Sequence, residues 1–120
     1  MANEITRRYG AQKLIGLSLH PGVIMTELAR HMDESDFENM DMPALKSPEQ
    51  GAATTVWAAL SDHFEGTENA GRYLADVGEA TPATGNDAMG DPIYAPHAYD
   101  EKAEKTLWKV SCEVVGVADD

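Results

Sequence analysis

Tyr9 and Lys13 stand four residues apart in the stretch RRYGAQKLIGLSLHPG, residues 7–22. On a continuous helix that spacing sets a phenol and an ammonium on one face, where the cation lowers the phenol's pKa and equips it as a general acid. The neighbouring residues argue against such a pair. MANEITRR consists of helix formers, Gly10 stands where a helix terminator would, and Lys13 opens the apolar run KLIGLSL. A helix that breaks at Gly10 leaves a partly packed tyrosine at its end and a lysine in a solvent-facing turn, with nothing to hold the two on one face. Other reactive side chains are as scattered. His20, His31, His63 and His97 lack metal-ligand spacing, so no zinc site is expected. His20, beside Pro21-Gly22, reads as a hydrogen-bonded strand-end histidine or as the lining of a cleft. Cys112 is the only cysteine, which rules out an internal disulfide and suits a small buried residue on a helix.

The elements that would position these groups follow from composition and periodicity. The chain has 120 residues, 42% of them apolar, enough for one globular domain with a modest core. Nine basic residues against 21 acidic ones give a net charge of -12 and no Lys/Arg stripe, which makes nucleic acid and anionic membrane poor partners. No apolar run reaches the roughly 18 residues of a membrane span, and residues 1–20 lack a signal-peptide core. The expectation is a soluble, cytoplasmic chain.

Residues 1–8 read as the tail of a helix, and residues 13–19 as a strand without alternation, the pattern of a parallel strand covered on both faces. His20-Pro21-Gly22 follows as a turn. MTELARHM, residues 25–32, favours a short helix, and residues 33–43 are an acidic, Met-rich, aperiodic loop. Ser47-Pro48-Glu49-Gln50 starts a helix with an N-cap, a first-turn proline and a capping-box glutamine. That helix shows Ala52, Val56 and Leu60 in one row and Ala53 and Trp57 in the next. Residues 72–77 alternate as a strand before Gly78. Residues 79–97, with three of the six prolines and two of the ten glycines, form an irregular excursion. From Asp100, Ala103, Leu107, Val110 and Val114 recur at helical spacing, with Trp108 beside them. Trp57 and Trp108 read as core or oligomer contacts. Strand and helix alternate, so the class is α/β, with two parallel strands joined by a right-handed crossover. Two strands make a poor sheet, so a partial domain is expected.

The combination LSLHPGVIMTEL with SPEQGAATTVWAAL downstream resembles the C-terminal part of short-chain dehydrogenases/reductases, in the retinol-dehydrogenase-like and WW-domain-oxidoreductase-like branch. The resemblance covers nearly the whole chain. It implies the C-terminal part of a Rossmann-type doubly wound parallel sheet, whose late strand ends in Pro21-Gly22. It further implies an NAD(P) cofactor: the backbone of Pro21, Gly22, Val23 and Ile24 would meet the nicotinamide carboxamide, and the Thr26 hydroxyl would bond the cofactor's amide or phosphate. The end of a strand in an open parallel sheet is where ligands bind on general grounds. Thr26 suits equally the N-cap of MTELARHM, and both roles can coexist. Residues 27–46 would be the substrate loop, with Met40 and Met42 either touching a small apolar alcohol or carbonyl substrate or simply exposed. The helix over residues 47–60 would offer a homo-oligomer surface.

The departures from the family pattern matter as much. No Gly-rich turn that would seat a pyrophosphate on a helix N-terminus is present, and the stretch from Gly66 to Gly71 leads into a strand instead. The family's catalytic Ser and Tyr-x-x-x-Lys would fall upstream of Met1, since YGAQK sits at the turn between helix and strand. The expectation is a chain with no catalytic residue of its own and without the N-terminal nucleotide-binding half. The residue that chooses NAD or NADP would lie in that half. A coding frame cut at an internal methionine, one half of a split enzyme and a degenerate duplicate all fit. Two functions fit as well: part of an NAD(P)-dependent oxidoreductase, inactive as the isolated chain, or a non-enzymatic half-domain that pairs with a full-length dehydrogenase and regulates it.

Overall fold

The computed structural model describes residues 1–24, 26, 27, 30, 45–66, 68–88 and 90–119. The helix expected over residues 25–32, apart from Thr26, Glu27 and Arg30, and the loop over 33–43 with Met40 and Met42 lie outside the described residues, as does His31.

Helix α1, Ala2–Tyr9, begins the chain, with Glu4 in its first turn and Arg7 and Arg8 in its last, the charge order that suits the helix dipole. Gly10 does not stop it in the left-handed conformation. Gly10 remains right-handed and opens a turn of 3-10 helix, Gly10–Gln12, and Lys13 takes the left-handed position at φ 64. The expected strand over residues 13–19 is correspondingly shorter and later. Strand β1 is Ser18–His20, so His20 is a ladder residue rather than part of the turn. The stretch before it is held otherwise: the Gly16 N–H donates to Thr6 Oγ1 at 2.9 Å, and the Gly16 carbonyl accepts from the Gly71 N–H at 2.9 Å.

β1 pairs in parallel with β4, Tyr73–Ala75, in the register Ser18 with Tyr73, Leu19 with Leu74 and His20 with Ala75. Between them in sequence lie β2, Val23–Ile24, and β3, Leu45–Lys46, which form a second parallel pair, and helix α2, Pro48–Leu60. The expected capping box is present: Ser47 Oγ accepts from the Gln50 N–H, and Gln50 Oε1 accepts from the Ser47 N–H at 2.8 Å. α2 packs on β1 to β4 through Gly51 and Thr54, both buried. The row Ala52, Val56 and Leu60 faces solvent. Leu74, with no exposed surface, and Ala75 form the centre of the core, and Phe64 closes it below Trp57, ring edge to face at 4.9 Å.

β4 turns back on itself. Asp76 and Val77 have φ of 53 and 58, the sign pattern of a type I′ hairpin turn, and lead into β5, Gly78–Glu79, antiparallel to β4. A β-branched residue at positive φ is strained, and the buried Thr54 hydroxyl holds it by accepting the Val77 N–H at 3.1 Å. The excursion over 79–97 contains a further parallel pair, β6, Thr81–Pro82, with β7, Ile93–Tyr94.

Helix α3, Glu101–Val115, is capped by the Asp100 carboxylate and ends at left-handed Gly116. It packs on α1 with Glu104, Trp108, Ser111 and Cys112 turned inward. The row Ala103, Leu107, Val110 and Val114 is exposed. Cys112 is buried on this helix, as its sequence context suggests. The chain is thus α/β, with a parallel strand pair between helices, as expected, and an added antiparallel strand.

Candidate functional site

Pro21 and Gly22 leave β1 at its C-terminal end, the end at which β4 also finishes its parallel run. The His20 ring stays with the turn: its Nδ1 accepts the Gly22 N–H at 3.0 Å, which places the ring proton on Nε2. Gly22 has φ +91, a backbone conformation that favours glycine, and the flexible Lys46 stem lies against it, its Cδ 2.6 Å from where a Cβ would stand. Val23 and Ile24 then pair with Leu45 and Lys46. Ile24 is seated by a second glycine. A Cβ on Gly51 would stand 2.1 Å from Ile24 Cδ1, so the Ile24 side chain packs into the space that a side chain on α2 would take.

Pro21, Gly22, Val23 and Ile24 therefore form one continuous, half-buried ledge at the strand end. Thr26 lies two residues beyond it and is exposed. Lys46, expected at the end of the substrate loop, lies across the ledge, and its Nζ is paired with Asp76 Oδ1 at 2.9 Å. That contact joins the end of β3 to the β4–β5 turn. A cleft of about 30 Å³ opens beside it, lined among others by His20, Lys46, Tyr73, Asp76 and Asp91. The site combines backbone turned outward by glycine with one ammonium, one imidazole and two carboxylates. The signals for Lys46 and Asp76 were local and faint: a lysine directly before an N-cap, and an aspartate two places before a glycine.

Tyr9 and Lys13 do not join it. Tyr9 lays its ring against Trp108, 6.0 Å between centroids, while Lys13 is exposed. Among the described residues no group of three His, Cys, Asp or Glu could hold a metal ion.

A second charged cluster, between α1 and α3, escaped the sequence reading. Glu4 and Glu104 are buried. Glu4 pairs with Arg7 and with Arg8, the latter at 2.7 Å; Arg7 reaches Glu104 at 2.6 Å, and Asn3 donates to the same carboxylate. Burial pushes the Glu4 carboxyl up, but hydrogen bonding from Arg8 and the charges of both arginines outweigh it and hold Glu4 below its ordinary value. The hydrogen bond to Glu104 raises Arg7 against the effect of burial. Arg8 also sits over the Trp108 ring at 4.9 Å. A cleft of about 350 Å³ lies beside this cluster, lined by Asn3, Arg7, Arg72 and Tyr99 among others and sharing no residue with the smaller one. We place the candidate site at the smaller cleft, because the strand ends converge there.

The geometry defines an α/β chain with a glycine-shaped ledge at the carboxyl end of a parallel strand pair. The chain belongs to the short-chain dehydrogenase/reductase family. It is 40% identical over 124 residues to the short-chain dehydrogenase/reductase prx1 of Penicillium roqueforti, covering 99% of this chain and 36% of that protein. It is 38% identical over 127 residues to the oxidoreductase calI of Penicillium decumbens, covering 98% and 36%. A probable oxidoreductase of Streptomyces lividans is 35% identical over 119 residues, 91% of this chain and 39% of the relative. The chain thus spans a little over a third of the length of these curated relatives. No family model matches the chain, and no solved structure matches it. Among the described residues, no helix is long and apolar enough to cross a membrane.

Proposed function

We propose that the chain is the C-terminal part of an NAD(P)-dependent oxidoreductase with a Rossmann-type sheet, acting on a small apolar alcohol or carbonyl compound. The observation that carries this reading is the ledge Pro21 to Ile24. It sits where two parallel strands end, and residues 27–44 leave from β2 and return at β3 beside it. Gly22 has no Cβ, the Lys46 stem lies in the space one would fill, and so Lys46 brings a cation onto the ledge. Pro21, Gly22, Val23 and Ile24 would hold the nicotinamide end of the cofactor, with Thr26 bonding its amide or phosphate. The cofactor supplies or accepts the hydride. This chain's residues orient it and, through residues 27–46, cover the substrate. The proton donor and the cation that tunes it would come from the part of the relatives that this chain does not match, so the isolated chain is expected to be inactive.

The test is a hybrid in which this chain replaces the matching segment of the Penicillium roqueforti relative. The folded hybrid is expected to enhance NADH or NADPH fluorescence and to oxidise it with a carbonyl substrate, whereas the isolated chain does neither. Gly22→Val in the hybrid should abolish the fluorescence change. A folded hybrid that binds neither dinucleotide, or carbonyl reduction by the isolated chain, sinks the reading. The exposed row of Val56 and Leu60 on α2 favours a second reading, a half-domain that pairs with a full-length dehydrogenase. Co-purification with an intact relative, abolished by Leu60→Glu, would distinguish it.

A further inference from the structure

Asp76 and Val77 stand in succession at positive φ, 53 and 58, where β4 turns into β5 beside the ledge. Aspartate tolerates that region, but a β-branched valine does not, and glycine comes one place too late, at Gly78, to relieve it. Strain of this kind persists only where the surroundings impose it, and it gathers at sites that need one fixed geometry. Here the restraint is Thr54 on α2, 1% exposed, whose Oγ1 accepts the Val77 N–H at 3.1 Å.

What the strained turn presents is Asp76. Its side chain is 65% exposed, and its Oδ1 takes Lys46 Nζ at 2.9 Å. Lys46 has no reason to rest there unaided. It stands directly before Ser47, the N-cap of α2, where the helix dipole disfavours a cation, and its stem is long and flexible. With Asp76 holding it, Nζ lies 3.2 Å from the place a Cβ on Gly22 would take, over the turn that forms the ledge. Among the described residues Lys46 donates to Asp76, and an ammonium has three N–H bonds, so donors remain for a ligand. One face of α2 sets the whole arrangement: Ser47 caps the helix beside Lys46, Gly51 receives Ile24, and Thr54 fixes the turn that carries Asp76.

We infer that Thr54 and Asp76 are positioning residues for the Lys46 ammonium, which they hold over the Gly22 turn to receive a phosphate oxygen of the dinucleotide. Thr54 acts through Val77 and Asp76, and touches neither Lys46 nor the ligand. The identity of the ligand rests on the proposed function, whereas the placement of the ammonium needs no cofactor and is measured without one.

Acylation of the amines of the full chain by a water-soluble ester, read residue by residue in a mass spectrometer, tests the placement. Lys46 should react several-fold more slowly than the exposed Lys13, and Thr54→Val should bring it toward the Lys13 rate. Asp76→Asn, which removes the charge at an exposed side chain, should do the same. Thr54→Ser keeps the acceptor and should leave the rate unchanged. Adding Val77→Gly to Thr54→Val should restore the protection, because glycine takes the turn without strain and no longer needs the hydroxyl. A threonine that merely fills the core would not be rescued from that position. In the hybrid, Thr54→Val should raise the KM for the dinucleotide several-fold with kcat less changed, and should add little to Lys46→Met. A Lys46 rate that neither variant changes overturns the inference, as does the absence of rescue or a KM effect that adds fully to that of Lys46→Met. Free exchange of the Val77 N–H in the wild-type chain overturns it even if Thr54→Val does not fold. A hybrid that binds no dinucleotide sinks the proposed function instead, and the placement then stands or falls by the acylation rates.

Discussion

At the sheet, β1, β4 and α2 meet through Leu74, Ala75, Gly51 and Thr54, groups without charge whose fit depends on shape. Across the contact between α1 and α3 the buried groups are Glu4 and Glu104, held by Arg7, Arg8 and Asn3. The first contact is stabilised by removing apolar surface from water and by close packing, which pH and salt barely touch. The second places two carboxylates where water hardly reaches, so it holds only while every partner is present. The candidate ledge is built on the first kind of contact, which gives it a rigid floor.

Leu74→Ala should break the comparison most severely. The side chain is completely buried in the centre of the small core, so truncation removes about 2–5 kcal/mol, a large share of the stability of a chain this size. Urea unfolding should show a lower midpoint, with little dependence on pH between wild type and variant. A loss below about 1 kcal/mol would mean that the sheet is not the stabilising half.

Glu4→Gln probes the other half, with a smaller expected effect. It keeps the shape but removes the charge that Arg7 and Arg8 face, and charge-assisted hydrogen bonds of this kind contribute about 1–3 kcal/mol. Its signature is in acid. Folding holds the Glu4 carboxyl below its ordinary value of 4.5, so the folded chain binds a proton there less readily than the unfolded one. The stability it contributes is complete above that value and disappears as the pH falls through the lower folded value. Thermal melts of wild type and Glu4→Gln should therefore differ at neutral pH and converge in acid. Curves that stay parallel down to the acid limit would remove Glu4 from the account.

The same contrast explains what the sequence made legible. Local chemistry was readable: Ser47 to Gln50 announce their helix, Asp100 opens the last one, and Pro21-Gly22 marks the strand end, because each depends on residues a few places apart. The helix faces were not. The apolar rows of α2 and α3 stood out by their spacing, yet glycine, threonine and a salt-bridged glutamate face inward, since what a helix buries is set by the element it meets. Gly10 looked like a stop, but a turn of 3-10 helix carried the chain on to Lys13. The pairing of Arg7 with Glu104 spans 97 residues and leaves no local trace. Likewise, nothing near Asp76-Val77 signals that a buried Thr54 would hold their turn.

Lys46→Met sharpens the comparison with the smallest effect on stability. The pair with Asp76 is a charged contact in the half of the molecule governed by packing, and Asp76 is largely exposed, so water screens it. Exposed pairs of this kind contribute at most about 1 kcal/mol, and methionine retains the stem that lies against Gly22. The unfolding midpoint should hardly move. Activity should respond differently, because the ammonium is the cation at the edge of the ledge. In the hybrid enzyme the KM for the dinucleotide should rise several-fold while kcat changes less, the pattern of an interaction that binds without taking part in the chemical step. A stability loss as large as that of Leu74→Ala would show that Lys46 and Asp76 hold the sheet end together. An unchanged KM would separate the ledge from the cofactor and leave the pair as surface chemistry alone.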